Sequence, residues 1–123
     1  MEQHDKWAEK RQFKRAYIRF PVECRGKSYW QCVEAHDISA GGLFLITDKV
    51  EPPQTKLEII FTFHKRLIHA EAQVVWSRPK PAKDEGGNMQ PAGMGIMFTR
   101  LIPIGSKDFI DELVKMMEEK PNA

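Results

Sequence analysis

The sequence predicts a mainly β fold: an antiparallel barrel of six or so short strands with one C-terminal helix. Three observations predict it. Apolar and polar residues alternate over 57–63 and again over 68–76, which is the period of strands with one buried face. Clusters of Gly, Pro, Asp and Ser break the rest of the chain into short extended pieces. One terminal segment, 106–119, repeats its apolar residues at helical spacing instead. Closing such strands into a barrel removes exposed sheet edges, and the helix can then cover one end.

At 123 residues the chain fits one domain with a real core. Its apolar share of 41% and charged share of 29% are those of an ordinary globular protein, not of a disordered or fibrous one. A formal net charge of +2 is too small for the basic footprint of a nucleic-acid polymer binder, but it suits a small anionic ligand. No apolar run reaches the roughly eighteen residues of a membrane span, and the start Met1-Glu-Gln-His-Asp-Lys-Trp7 lacks the apolar core of a signal peptide. The expectation is a cytoplasmic protein without membrane insertion, its two cysteines reduced.

Residues 1–9 read as a polar arm, and 10–119 as the barrel domain. Lys10, Arg11, Lys14 and Arg15 surround Phe13, and Arg11 and Arg15 share a face whether the segment is helical or extended. Ile18, Phe20, Val22 and Cys24 alternate with polar residues as in a half-buried strand, with Pro21 at an edge or bulge. A hairpin turning at Gly26-Lys27 would set Cys24 opposite Tyr29 and Cys32 opposite Pro21. Three positions apart, about 10 Å, they are too far for a disulfide, and without Cys-x-x-Cys spacing they read as core or edge thiols.

A second strand runs from Tyr29 to about His36, and 37–42 interrupts it. A short apolar run follows at 43–47, then a loop over 48–55 containing Pro52-Pro53. Leu57, Ile59, Phe61 and Phe63 form the apolar face of one strand, and Ile68, Ala70, Ala72, Val74 and Trp76 that of the next. The short link His64-Lys-Arg66 makes the two a hairpin. Trp76 is assigned to the core, with stacking as the other option, while Arg78 is either a ligand contact or a solvated strand end. Residues 78–92 form a long exposed loop, and 93–99 return to a strand whose glycines indicate close backbone approach. Ser106 is the expected N-cap, Asp108 suits the first turn, and Phe109, Ile110, Leu113, Val114 and Met117 mark the helix face to about Glu119.

The polar chemistry concentrates in Arg11-Gln-Phe-Lys-Arg15 and Asp37-Ile-Ser-Ala-Gly-Gly42. A guanidinium can bond bidentately to the O6 and N7 acceptors of guanine, stack on its face, or neutralise phosphate. A carboxylate accepts from guanine N1 and N2, so Asp37 matches the remaining edge and Ser39 can add a hydroxyl. Gly41 and Gly42 give freedom to turn sharply and expose amides to an anion. The bland alternative is equally physical: a basic cluster is commonly a solvated face, and Asp and Ser in such a segment bond their own backbone.

The order and spacing of these segments resemble the PilZ domain, the bacterial receptor module for cyclic di-GMP, marked by Arg-x-x-x-Arg followed by Asp/Asn-x-Ser-x-x-Gly. The resemblance extends to Phe20-Pro-Val22, Gly42-Leu-Phe-Leu45, Val74-Val-Trp-Ser-Arg78 and Gly93-Met-Gly-Ile-Met-Phe98, and covers roughly 10–115. One departure is Lys10, where many members carry a further arginine. It implies a six-stranded barrel with a C-terminal helix, no catalysis, and cyclic di-GMP held between the arginine segment and the barrel. By similarity Arg11 and Arg15 hold guanine and phosphate, Asp37 and Ser39 a guanine edge, and Gly42 the loop shape. Lys10, Lys14, Gly41 and Arg78 are further candidates. The signal then passes to a protein effector as the arm orders.

Other functions fit less well. The four histidines show no arrangement with an orienting third group, so neither a hydrolase nor a metal site is expected. An oligonucleotide-binding barrel would need exposed aromatics, whereas Phe61, Phe63 and Trp76 are expected to point inward. A degenerate barrel used only for protein contact would have little need for Arg11, Arg15, Asp37, Ser39 and Gly42 together.

Overall fold

The computed structural model describes residues 13–119; the expected arm 1–9, Lys10 and Arg11 lie outside them. The described strands are β1 (Arg15–Ala16), β2 (Phe20–Arg25), β3 (Trp30–Ser39), β4 (Gly42–Ile46), β5 (Lys56–Phe63), β6 (Arg66–Arg78), β7 (Ala82–Lys83), β8 (Met89–Gln90) and β9 (Gly93–Ile102), followed by helix α1 (Ser106–Glu119). Six strands close an antiparallel barrel in the order β3-β2-β5-β6-β9-β4, with β4 returning to β3. β1 adds to the β3 edge beyond the end of β2.

Alternation dictates the core. Leu57, Ile59, Phe61 and Phe63 of β5 meet Ile68, Ala70, Ala72 and Val74 of β6 inside the barrel, with Val22, Leu43, Leu45, Met94 and Ile96 from the other strands. Each of the larger side chains contributes about 1.5–3 kcal/mol on burial, and the two alanines less. The rings of Phe20, Phe61 and Phe98 lie 5.6 and 6.1 Å apart in sequence around the wall. Ile110 and Val114, both fully buried, carry α1 onto the barrel against β1, β3 and β9. The β5–β6 turn places His64 and Lys65 at φ 48° and 68°, the left-handed pair that a two-residue turn needs to match strand twist.

Several expectations are corrected. β2 and β3 pair with Cys24 opposite Gln31 and Cys32 opposite Glu23, because the loop spans 26–29 and closes by a Gly26 N–H bond to the Tyr29 carbonyl of 2.8 Å. The cysteines are thus close in register, but Cys24 is buried and Cys32 exposed, so they face opposite sides of the sheet, and both are free. Pro21, by contrast, is at an open edge as expected: it pairs with Glu34 on one side, while the β2–β5 ladder begins only at Glu23. The loop 78–92 carries a small hairpin, β7–β8. Ser106 opens α1 but its hydroxyl donates to the Pro103 carbonyl at 2.6 Å; the Gly105 carbonyl accepts the first helical N–H, from Phe109, so the cap position is Gly105.

The remaining two corrections concern parity. β3 does not stop at His36 but runs through Ser39, and its register with β4 shifts between Ala35 and Asp37. The extra residue, His36, changes which face the later residues occupy. Ala35 points into the core, then Ile38 and Ala40 do, and Asp37 and Ser39 turn to the outer face. β6 does the same between Val74 and Trp76, so Trp76 leaves the core and lies on the outer face.

Candidate functional site

Both irregularities face the same outer surface. Across the sheet Asp37 is paired with Phe44, Phe44 with Gly95, and Gly95 with Trp76. One step along, Arg15 is paired with Ser39, Ser39 with Gly42, and Gly42 with Met97. Residues from the two sequence segments and from β6 and β9 therefore share one stretch of wall.

Arg15 and Asp37 meet directly, Arg15 Nη1 donating to Asp37 Oδ1 at 2.7 Å. The same oxygen accepts the Phe44 backbone N–H at 2.9 Å, which locks the carboxylate over the β3–β4 ladder. Asp37 is 8% exposed, so its charge is held mainly by these two donors. The Arg15 side chain is 40% exposed, and solvent screens its half of the pair; the bond is worth no more than about 1 kcal/mol. Such a partner is easily exchanged for a stronger anion.

Ser39 is 2% exposed, and its Oγ accepts the Gly41 N–H at 3.1 Å. In this conformation it shapes the turn. Gly41 and Gly42 do not need glycine for a left-handed backbone, since the positive-φ glycines among the described residues are Gly87 and Gly105. At Gly42 the requirement is close approach, as a Cβ there would collide with the Ile96 carbonyl oxygen. The expectation of loop freedom at this position is replaced by a packing constraint between β4 and β9.

Gly95 has the matching role. A Cβ on it would strike the Trp76 indole, so its bare backbone lets that ring lie across β9 to within 5.2 Å of the Phe44 ring. Arg78 completes the platform, with its guanidinium 5.0 Å from the Trp76 ring and 5.9 Å from Phe44, anchored by Nε donating to the Pro91 carbonyl at 2.7 Å.

The structure thus brings together Arg15, Asp37, Ser39, Gly41 and Gly42, with Arg78 bordering the same surface across Phe44 and Trp76. Lys14 is exposed. Residue reasoning missed Phe44, Gly95 and Met97 and put Trp76 on the wrong face; only the glycines of 93–95 signalled close approach. It also passed over Phe13. Half-buried against the core, Phe13 lies 3.5 Å from where a Gly41 Cβ would stand, and Lys107 Nζ of α1 sits 4.7 Å over its ring. The arginine segment therefore touches both the turn and the helix.

An antiparallel barrel carrying an arginine strand against a carboxylate-hydroxyl-glycine turn is a recognisable class of small domain. The sequence matches the PilZ domain over residues 9–115, and the chain belongs to that family. Among solved structures it is similar to the inhibitor of motility MotI/DgrA of Bacillus subtilis, with a TM-score of 0.68 and 18% identity over 90% of this chain and 53% of that one. The chain thus spans about half the length of that protein. It is also similar to the PilZ domain of YcgR from Escherichia coli with c-di-GMP (TM-score 0.60, 14% identity, 88% and 91% coverage). A third similar structure is the PilZ domain of CeSA from a cellulose-synthesizing bacterium (TM-score 0.56, 16% identity, 85% and 98% coverage). At these identities the likeness is one of fold. No curated protein sequence matches the chain.

Proposed function

We propose that this chain is a cytoplasmic cyclic di-GMP receptor that acts by binding, without catalysis, and passes the signal to a protein effector. The observation that carries this is the direct contact of Arg15 with Asp37, which joins the two sequence segments at one surface. Family membership and the similar fold of the YcgR domain with c-di-GMP support the choice of ligand.

In this reading the ligand phosphate takes Arg15 from Asp37. The exchange is favourable because the guanidinium is already half in solvent, whereas a phosphate offers a bidentate, doubly acceptor partner. Asp37, still positioned by the Phe44 N–H, then accepts from guanine N1 and N2 through Oδ2. Arg11, outside the described residues, supplies a second cation to base or phosphate. The flat surface of Trp76 and Arg78 lies across Phe44 from Asp37 and suits base stacking. Closure of the segment over the ligand moves Phe13, and through the Lys107 contact it reaches α1. That gives the arm a physical route to an effector. Among the described residues no helix is long and apolar enough to cross a membrane.

A second reading, a PilZ barrel used only for protein contact, is favoured by one observation: Ser39 is covered and spends its hydroxyl on Gly41. Titration calorimetry with cyclic di-GMP, with GTP and cyclic di-AMP as controls, separates the two. The receptor reading expects saturable binding of cyclic di-GMP alone, and heat of dilution only in all three titrations would overturn it and leave the second.

A further inference from the structure

The far end of β3 from Asp37 carries a different surface. Gly26 and Lys27 of the β2–β3 loop, the strand ends Arg25 and Trp30 beside it, and residues of β5 and β6 line a cavity of about 670 Å³, within the roughly 300–1,000 Å³ common for binding sites. Its principal side chains are Arg25, Lys27, Trp30, Lys56, Glu58 and Glu71. Register explains the grouping, because Trp30, Arg25, Glu58 and Glu71 are successive partners across four strands.

The groove is built and held. Glu51, 1% exposed, accepts the backbone N–H groups of Ser28 and Tyr29 at 2.8 and 3.0 Å, tying the loop to the barrel. Gly26 has no Cβ because the Glu51 carboxylate fills that space. Arg25 is fixed as well, with Nε and Nη2 on Glu23 at 3.1 and 3.0 Å and Nη1 3.7 Å from Glu58. Its guanidinium lies 4.9 Å from the Trp30 ring and backs one side of an indole that is nevertheless 75% exposed.

An exposed, rigidly backed Trp–Arg pair in a pre-formed groove is the composition of an interface hot spot. Charge selects the partner. Glu58 and Glu71 have cationic neighbours in Arg25 and Arg100, but among the described residues neither Lys27 nor Lys56 has an ion-pair partner. The unmatched charge is positive and flanks the tryptophan. The two carboxylates in the groove oppose a continuous phosphate backbone, yet they can accept N–H bonds from a peptide.

We propose that this groove docks a short acidic segment of a partner protein, which places an aromatic or aliphatic side chain on Trp30 and carboxylates on Lys27 and Lys56. Trp30 and Asp37 are seven positions apart on β3, about 23 Å along an extended strand, so the segment and a ligand at the Asp37 surface can be held together. The proposal goes beyond the nucleotide reading and does not depend on it.

The test is selection of short peptides from a random displayed library on the full chain, followed by fluorescence polarisation with the enriched sequences. Enriched peptides should carry an aromatic or large aliphatic residue flanked by Asp or Glu. Trp30→Ala and the Lys27→Glu/Lys56→Glu variant should each weaken them more than about tenfold. Both variants should keep the wild-type melting temperature, and Arg15→Ala should bind the peptides unchanged. The proposal is overturned if no peptide is enriched, if the enriched peptides are basic or bind both groove variants like wild type, or if single-stranded RNA displaces them.

Discussion

The β5–β6 and β3–β4 hairpins belong to one barrel but follow different rules. In β5–β6 eight consecutive pairs run from Lys56↔Gln73 to Phe63↔Arg66 without a shift, and every second side chain is core. In β3–β4 the register slips at His36, after which a carboxylate and a hydroxyl take outward positions that strict alternation would have sent inside. The first hairpin maximises apolar burial. The second uses a bulge to present chemistry without giving up the buried Ala35, Ile38 and Ala40 on its other face. Val75 repeats the device on β6 and delivers Trp76 to the same surface.

The sharpest way to break this contrast is to insert one residue between Asp37 and Ile38. Alternation from Asp37 would then turn Ile38 outward and Ser39 inward, giving up a fully buried side chain and burying a hydroxyl at a cost of about 3–5 kcal/mol, against a total domain stability of about 5–15 kcal/mol. Deleting His36 instead makes Asp37 the direct neighbour of Ala35 and keeps both faces as they are, so the deletion should retain a cooperative thermal transition that the insertion loses or weakens; equal melting of the two variants would mean that parity does not set the orientation. In the regular hairpin, Phe61→Ala should cost about 3–5 kcal/mol, seen as a fall in denaturation midpoint at an unchanged denaturant slope, because its ring packs against both Phe20 and Phe98.

Gly42→Ala should cost about 1–3 kcal/mol, since the new methyl meets a backbone carbonyl that cannot rotate away, while Gly41→Ala should be nearly neutral in the same denaturation experiment. The smallest effect concerns Cys24, whose thiol is pushed up to about 12 by burial and by the nearby Glu51 charge. A raised folded value means its contribution is fully present below the unfolded value near 9 and is lost as pH climbs towards 12. Stability should therefore decline above about pH 9, and Cys24→Ala should flatten that decline. At pH 8 a thiol reagent should modify Cys32 quickly and Cys24 only on unfolding.

Much of this was readable from the residues. Strict alternation marked β5 and the first part of β6, helical spacing marked α1, and two spaced motifs marked the surface where Arg15 and Asp37 meet. The bulges were not readable, because one inserted residue leaves hydrophobicity on either side unchanged, and neither His36 nor Val75 has a composition that announces it. Continuing the parity of Ile68 to Val74 sends Trp76 inward, and the extra residue Val75 is what turns it out. The β2–β3 register was missed by two positions, which preserves the face of each residue but changes its partner. Gly42 was legible as a required glycine, although the reason, the Ile96 carbonyl, belongs to a strand fifty or so residues later.

In the receptor reading Arg15 and Asp37 serve one ligand at one surface. The direct measurement is calorimetric titration of cyclic di-GMP into the wild type, Arg15→Ala, Asp37→Ala and the double variant. Each single variant should bind more than about tenfold more weakly, and the double loss should fall short of the sum because the groups act together. Wild-type affinity in both single variants would contradict it.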